Sequence, residues 1–285
     1  MYTNARSMKN KYNLLCASVC HLKPDIIFIT ETWLHSDILD QLYTIPGFSL
    51  FRRDSEHNLG YGGVCIFLAN HITDNFKIIP NSFDIPAIDN LFLLVSNCSF
   101  SITLGCVYRP RPSQFDNSLF EHLNTVSQSN KNVLICGDFN FRELAWPITT
   151  HPPENSIASH FLSALNDAGL SQLIDQPTRI VPNQNPSTLD LFLTNDTDLI
   201  CNIQYSDPLG KSDHVVITSN IQFSAILTHK SSFKTIRSID YTSLNDFFMA
   251  TDWDAVLCSE DIDIAWAAFQ STLAEALLPI QQLVT

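Results

Sequence analysis

The sequence lacks the features of several protein classes. No apolar run reaches the ~18 to 20 residues that a membrane-spanning helix needs. The opening segment, MYTNARSMKNK, is polar and has no apolar signal core. No two of the eight cysteines form a C-x-x-C pair, which argues against a disulfide framework or a zinc site. We therefore expect an intracellular protein with no membrane partner, whose cysteines are reduced core residues.

Basic residues are scarce. Sixteen Lys and Arg stand against 29 Asp and Glu, so the formal net charge is −13. A protein that grips nucleic acid through phosphates usually carries a basic face, so any such grip must be local or come from another part of a larger polypeptide. A cluster of carboxylates that binds a divalent cation is itself acidic, so the charge does not exclude phosphate chemistry.

What the sequence does contain is typical of a globular α/β protein. Hydrophobic residues make up 45% of the 285 and charged residues 16%, enough for one large domain or a domain with an appendage. The strand patterns are 25–30, 48–54, 61–68, 91–97, 101–108, 133–136, 189–194, 201–206 and 214–221, and the helix patterns are 8–22, 113–129 (capped by Ser113) and 156–169 (capped by Ser156). Hairpins mixed with strand–helix–strand crossovers predict an α/β (α+β) fold, in which two packed mixed sheets are flanked by helices.

The character of the sequence changes after Phe223. A polar, poorly periodic stretch is followed by helical patterns at 241–250 and 262–278. We expect residues 1–222 to form the main domain. Residues 223–285 read as a linker with helices that leads toward a further part of the polypeptide.

The segment VLICGDFNFRE, residues 133–143, raises the question of function. A buried strand ends in Gly-Asp-Phe-Asn, and turn chemistry alone could explain this, since Gly, Asp and Asn commonly follow strands. Alternation along an extended chain would instead turn Asp138 and Asn140 into a cleft and Phe139 into the core. The other strand ends must decide between the two interpretations.

Several other strands also begin or end in polar residues that could carry chemistry. These residues are Glu31, Tyr108, Asp190, Ser212, Asp213 and His214. Turn chemistry explains Asp, but it does not explain Glu, Tyr and His together. We therefore expect a shared cleft at the strand termini.

These residue types suit metal-assisted attack of water on a phosphodiester. Mg²⁺ prefers one or two carboxylates and keeps several waters, which suits Glu31. A carboxylate beside an imidazole sets its tautomer and basicity, which suits Asp190 or Asp213 with His214.

The remaining residues suit the water and the phosphate. Asp138 would align and deprotonate the water, and Asn140 would donate to a phosphate oxygen. Tyr108 would be a neutral donor to the charge that builds in the transition state.

Five motifs, preceded by an opening asparagine motif, carry a family resemblance. They are NARS (4–7), ETW (31–33), VYRP (107–110), GDFN (137–140), LDLFLT (189–194) and SDH (212–214), in the order of the endonuclease/exonuclease/phosphatase superfamily. Over residues 2–222 the sequence resembles the endonuclease domain of non-LTR (LINE-type) retrotransposon polyproteins. Residues 223–285 resemble the linker before the reverse transcriptase in such polyproteins.

The resemblance implies a four-layer αββα sandwich and an enzyme that uses Mg²⁺, or Mn²⁺ in its place. Such an enzyme nicks one DNA strand and leaves a 3′-hydroxyl that primes reverse transcription. The implied partners are DNA and, in the full polyprotein, element RNA and the reverse transcriptase, with action in the nucleus. The implied site residues are Asn4 and Glu31 at the metal with Asp213 nearby, Asp138 as base or water positioner, and Tyr108, Asn140, Ser212 and the Asp190–His214 pair at the phosphate.

Two other functions stay open. A superfamily phosphatase acting on a small phosphorylated lipid or inositol would keep the same site, but it needs a basic headgroup pocket that the sequence does not show. A decayed or co-opted domain would only bind a partner. Arg6 stands where related repair enzymes carry an acidic residue, which leaves the number of metal ions open. Met1 lies three residues before Asn4, so we expect a clipped, poorly held first strand.

Overall fold

The computed structural model describes residues 1–56, 60–222, 236–239, 241–277 and 281–284, which fall into two compact units, Met1–Ile226 and Leu227–Thr285. The strands of the first unit are β1 (Tyr2–Asn4), β2 (Ile26–Thr30), β3 (Phe48–Arg53), β4 (Val64–Ala69), β5 (Lys77–Asn81), β6 (Asp89–Ser96), β7 (Ser101–Tyr108), β8 (Val133–Asp138), β9 (Ser171–Gln172), β10 (Asp190–Thr194), β11 (Ile200–Ser206) and β12 (Val216–Ile221). Its helices are α1 (Tyr12–Leu22), α2 (Asn70–Asn75), α3 (Asp116–Ser129) and α4 (Ile157–Asp167), with 3₁₀ turns at Asp40–Tyr43 and Thr197–Leu199.

The strands of the first unit form two six-stranded mixed sheets. The strand order is β11-β12-β1-β2-β4-β3 in the first sheet and β5-β6-β7-β8-β10-β9 in the second. Each sheet has one parallel pair, β1 with β2 and β7 with β8, because a helix connects the two strands of each pair. The predicted fold of two packed mixed sheets with flanking helices is confirmed.

Alternation along the strands separates the core into layers. On β2, Phe28 faces the second sheet, whereas Ile27 and Ile29 pack in the cluster that contains Leu15 of α1. In β8 the inward position holds Leu134, while its neighbours pack in the cluster that also contains residues of α3 and α4. The result is helix, sheet, sheet and helix in four layers.

The strand β1 is central in its sheet. It lies between β12 and β2, and Tyr2, Thr3 and Asn4 are all fully buried. It pairs with Ile217 on one side and with three residues of β2 on the other. The expectation of a poorly held edge is therefore wrong.

The two predicted helix caps had different outcomes. Ser156 is the N-cap of α4, and its side chain accepts a hydrogen bond from the Ser159 N–H. Helix α3 begins only at Asp116, so Ser113 is not its cap. The Ser113 hydroxyl instead accepts from the Phe115 N–H, and its own N–H donates to Asp116, which tightens the turn before the helix.

The cysteines are all free but not all in the core. Only Cys65, Cys106 and Cys136 are buried, whereas Cys20, Cys98 and Cys258 are exposed. The prediction of core cysteines is correct for the three that lie on β4, β7 and β8. In the part of the chain that the structure describes, no helix is long and apolar enough to cross a membrane.

The second unit contains the strands β13 (Ile236–Ile239) and β14 (Gln281–Val284), which pair antiparallel, and the helices α5 (Tyr241–Ala250), α6 (Trp253–Val256) and α7 (Ile262–Leu277). Helices α5 and α7 match the two helical patterns of the sequence, whose last residue, 278, lies outside the described residues. Trp253 packs against Phe248 and Phe269 at ring distances of 5.7 and 5.8 Å.

Candidate active site

Strand register places three polar residues in one row across the second sheet. Tyr108 is the cross-strand partner of Asp138, and Asp138 is the partner of Asp190. Because neighbouring strands lie about 4.8 Å apart, the side chains of such a row stand together on one face of the sheet. The row therefore defines the floor of a site built from β7, β8 and β10.

The central strand of the other sheet reaches this row. Tyr2 and Asn4 are two residues apart on β1 and point to the same side. The Tyr2 hydroxyl donates to Asp190 Oδ1 at 2.6 Å, and Asn4 Nδ2 donates to Asp138 Oδ2 at 2.9 Å. Both sheets thus contribute to the site. Tyr2 was not predicted from the sequence, although a polar-tipped aromatic residue two positions before Asn4 could have suggested it.

The orientation of the Asn4 amide is fixed by its neighbours. The Arg6 N–H donates to Oδ1 at 3.0 Å, which leaves Nδ2 to face Glu31 Oε1 at 2.8 Å and Asp138 Oδ2. Asn4 therefore bridges two carboxylates as a hydrogen-bond donor. Its role as a metal ligand stays a prediction, and in the structure the Asn4 amide orients Glu31.

Glu31 follows β2 in a left-handed conformation, with φ +52°. Its Oε1 accepts from Asn4, and its Oε2 accepts from Trp33 Nε1 at 3.0 Å. Tyr108 lies near this carboxylate as well. Burial, together with the charges of Glu31 and Asp138, raises the pKa of Tyr108 well above its usual range, so its hydroxyl remains a donor at neutral pH.

His214 is paired with Asp190. Its Nδ1–H donates to Asp190 Oδ2 at 2.7 Å, while its Nε2 lies 4.0 Å from Asp138 Oδ2. Burial alone would lower the pKa of His214, but the charge and hydrogen bond of Asp190 outweigh it and raise the pKa to about 9. The imidazole is therefore charged at neutral pH. Of the two carboxylates that the sequence left open as its partner, Asp190 makes this bond.

Asp138 serves both the turn and the site. Its Oδ1 accepts from the Asn140 N–H at 3.1 Å, as in an Asx turn, and its Oδ2 accepts from Asn4. Burial raises the pKa of Asp138, and the nearby charge of Asp190 raises it further. A carboxyl group whose pKa lies closer to neutrality is suited to exchange protons at physiological pH.

The rest of the GDFN segment departs from a simple strand. Phe139 is fully buried, as predicted. Asn140 has φ +53°, so a turn and not strand alternation brings it beside Asp138, and its Nδ2 donates to the Arg109 carbonyl at 3.0 Å. Gly137 lies within β8, where a Cβ would stand 2.2 Å from the Val107 carbonyl oxygen. This glycine therefore allows close strand approach and is not a turn residue.

Asp213 of the SDH motif forms ion pairs with two arginines. Asp213 lies between Arg6 and Arg179, at 2.9 and 2.8 Å. Although burial opposes them, the two guanidinium groups and His214 lower the pKa of Asp213 below its usual value. The position of Asp213 near a metal stays a prediction, and in the structure this carboxylate pairs with two arginines.

Ser212 ties the motif to the central strand. Its hydroxyl donates to the Asn4 carbonyl at 2.7 Å and accepts from the His214 N–H at 3.2 Å. The place of Ser212 at the phosphate stays a prediction. In the structure its hydroxyl holds β1 and His214 together.

Arg109 supports the site from below and was missed from the sequence. It is fully buried and contacts Asp116 with two hydrogen bonds of 2.7 and 2.8 Å. Its Nη1 donates to the Phe139 carbonyl at 2.8 Å, and its guanidinium lies 4.0 Å from the centre of the Phe141 ring. The loop after β8 is therefore anchored by a buried ion pair. The position of Arg109, directly after a predicted site residue, was the available signal.

We expect Arg109→Ala to lower the free energy of unfolding by about 3–5 kcal/mol, because Asp116 would be left buried without its partner. Urea unfolding would measure the loss. The matched control is Asp25→Ala, which removes an exposed ion pair with His71 and should cost about 1 kcal/mol or less. A loss at Arg109 no larger than that of the control would contradict the anchoring role.

The residues fit a hard divalent cation at Glu31. Its carboxylate is half-buried, and each oxygen accepts one hydrogen bond and keeps a lone pair for a ligand bond. Ligand atoms of Asp138, Asp190 and His214 also lie within 4.8 Å of one another. Since Asp190 and His214 already hydrogen-bond each other, that second group is better suited to proton transfer than to coordination.

Comparison with known proteins gives one family and many structures. Residues 102–218 match the family described as endonuclease-reverse transcriptase. Curated proteins gave no significant match.

Three solved structures with a similar fold are an endonuclease domain, an AP endonuclease and a 3′ phosphatase. The endonuclease domain of TRAS1, a telomere-specific non-LTR retrotransposon, superposes with a TM-score of 0.61 at 19% identity, over 79% of this chain and 98% of that one. An AP endonuclease from Leishmania major gives 0.61 at 14% identity, over 78% and 87%. A 3′ phosphatase from Neisseria, bound to a product DNA hairpin, gives 0.57 at 16% identity, over 78% and 99%.

Proposed function

Because residues 102–218 match the family described as endonuclease-reverse transcriptase, we propose that this chain is a divalent-metal-dependent DNA endonuclease that nicks one strand of its target. The similar structures include endonucleases, exonucleases and phosphatases, all with the fold of the endonuclease/exonuclease/phosphatase superfamily. Their low sequence identity limits that likeness to the fold. Support for the activity therefore comes from the residues of the site.

One observation carries the proposal: two hydrogen-bonded groups meet where the sheets face each other. Asn4 joins Glu31 to Asp138, and Asp190 orients His214. The first group combines a half-buried carboxylate with a buried one of raised pKa. The second provides a charged imidazole whose Nε2 lies 4.0 Å from Asp138. An acid, a base and a cation site at this spacing suit hydrolysis of a phosphodiester.

Each residue then has a definite role. Asp138 accepts the proton of the attacking water, and His214 donates to the charge that builds on the phosphoryl oxygens. Tyr108 and Asn140 are placed to position the phosphate. Glu31 would hold Mg²⁺, or Mn²⁺, and such a cation, when bound, polarises the phosphate and stabilises the leaving oxygen.

We further propose that the nick leaves a 3′-hydroxyl that primes reverse transcription in the nucleus. Residues 1–222 would be the catalytic domain, and residues 223–285 the linker toward a reverse transcriptase that works on element RNA. Support comes from the family match and from the likeness to the TRAS1 endonuclease domain. No part of this proposal requires a membrane partner.

The chemical groups at the DNA ends of the nick test this function. Purified protein with Mg²⁺ should convert supercoiled plasmid to nicked circles that a DNA polymerase extends directly. Ends that need prior phosphatase treatment would contradict the proposal. A faster release of phosphate from a small phosphomonoester than from nicked DNA would favour the phosphatase alternative.

We expect Glu31→Gln to raise the Mg²⁺ concentration for half-maximal nicking by about 10- to 100-fold, because weaker support of a bound metal costs at least this much. The measurement is a Mg²⁺ titration of the nicking rate. Glu143→Gln, an exposed carboxylate of the same charge, is the matched control and should behave like the parent. An unchanged Mg²⁺ requirement in Glu31→Gln would remove Glu31 from the metal site.

A further inference from the structure

Two aromatic rings stand beside Glu31 at the surface. The rings of Trp33 and Tyr61 lie 4.8 Å apart at an interplanar angle of 62°. Tyr61 is 62% exposed and Trp33 is half-buried. Trp33 Nε1 also donates to Glu31 Oε2 at 3.0 Å, so one ring of the pair directly contacts the proposed metal ligand.

The backbone that carries these two rings adopts strained conformations. Glu31 and Trp33 have φ of +52° and +55°, a region that side chains other than glycine rarely adopt. The Trp33 N–H donates to the Gly62 carbonyl at 2.9 Å, and the Gly63 N–H donates to Asp89 Oδ2 at 2.8 Å. A Cβ at Gly62 would stand 2.5 Å from the same Asp89 oxygen. Strain that neighbouring contacts hold in place is typical of functional positions.

The loop is also tied to the catalytic row. Asp89 is the cross-strand partner of Tyr108, which in turn pairs with Asp138. Its carboxylate accepts from the Gly63 N–H, so the glycine loop that carries Tyr61 is fixed relative to the floor of the site. The aromatic pair is therefore held in register with the residues that would act on the phosphate.

The charge of the chain indicates what such a pair would bind. The chain has a net charge of −13, and the arginines near the site, Arg6 and Arg179, are both paired with Asp213. Exposed aromatic rings stack on the faces of nucleobases, a contact that needs no charge on the ring, and every base offers such a face.

We propose that Trp33 and Tyr61 form a stacking site for a nucleobase of the DNA substrate, on a nucleotide next to the phosphate that is cut. The inference rests on the proposed function and deepens it, because it assigns part of the DNA affinity to a contact that salt does not screen. A base that stacks on Tyr61 would also contact Trp33, whose indole N–H donates a hydrogen bond to Glu31. Binding of the base is thus connected to the carboxylate of the cation site.

The test uses the full chain and a short DNA duplex with a single-stranded gap that contains 2-aminopurine, in excess chelator so that no cleavage occurs. We expect Tyr61→Ala to raise the Kd by about tenfold, to leave the salt dependence of Kd unchanged and to weaken quenching of 2-aminopurine fluorescence. Tyr61→Phe keeps the ring and should bind within about twofold of the parent. Ile79→Ala, at an exposed apolar residue of the outer strand β5, is the control.

Equal Kd values for Tyr61→Ala and the parent would overturn the stacking site. So would a loss in Tyr61→Ala that is accompanied by a flatter salt dependence, since that would indicate lost phosphate contacts. Because binding is measured without cleavage, the two proposals can fail separately. If Tyr61→Ala weakens binding but the parent protein never nicks DNA, only the endonuclease proposal is contradicted. If the parent nicks DNA but Tyr61→Ala binds DNA as tightly as the parent, only the stacking site is contradicted.

Discussion

Asp138→Asn should slow DNA nicking by about 10² to 10⁴-fold, because it removes the group that accepts the proton of water. The turn should survive, since the Asn side-chain oxygen can still accept from the Asn140 N–H. The new amide nitrogen would then face Asn4 Nδ2, and two donors in contact should cost about 1–3 kcal/mol of stability. The expected loss of rate corresponds to about 2.7 to 5.5 kcal/mol of transition-state stabilisation, so it is the larger of the two effects.

The neighbouring residue provides the opposite control. Phe139→Ala should lower the free energy of unfolding by about 3–5 kcal/mol, because the ring is fully buried among apolar residues. The nicking rate per folded molecule should stay near that of the parent. Nicking rates at a temperature where both variants are folded, together with urea unfolding, separate the two effects. If Asp138→Asn nicks at the parent rate, the segment has a turn role only.

The second large effect concerns the Asp190–His214 pair. Asp190→Asn and His214→Ala should each lower the nicking rate by about 10² to 10⁴-fold, and the double variant should lose little more than His214→Ala. The reason is that Asp190 acts through the ring, whose Nδ1–H it holds at 2.7 Å. Asp198→Asn, at an exposed carboxylate in the turn that follows β10, should nick like the parent.

The pH profile gives this pair a separate signature. His214 is charged below its raised pKa of about 9 and neutral above it. Activity that needs the imidazolium should therefore fall as the pH rises through about 9. It should also fall as the pH drops below about 8, because the raised pKa of Asp138 is about 8 and the protonated carboxyl group cannot accept a proton. His214→Ala should lack this high-pH fall. Losses that multiply in the double variant would show that Asp190 and His214 act independently.

Local structure was predictable where side-chain patterns decide it. Residues 101–108 alternate as a strand and form β7, and the apolar run after Lys131 forms β8. The strand β8 extends two residues beyond its prediction because Gly137 and Asp138 still pair with β7 and β10. Gly and Asp are typical turn residues, so the sequence predicted a turn at these two positions. In the structure, pairing with strands on both sides outweighs that local preference.

The site was only partly predictable, because its geometry depends on contacts between distant segments. Motif order suggested which residues gather, but no local pattern gives the register that aligns Tyr108 with Asp138 and Asp190. The contact of Tyr2 with Asp190 spans 188 residues of sequence. Similarly, the ion pair that Arg6 makes with Asp213 joins the first and last motifs and could be seen only in three dimensions.

Nicking of supercoiled plasmid, with Mg²⁺ and with excess chelator, tests the central claim most directly. The parent protein should produce nicked circles with Mg²⁺ and none with chelator, and Asp138→Asn should produce almost none under either condition. Equal nicking by the parent and Asp138→Asn, or nicking by the parent in chelator, would contradict a metal-dependent endonuclease built on this site.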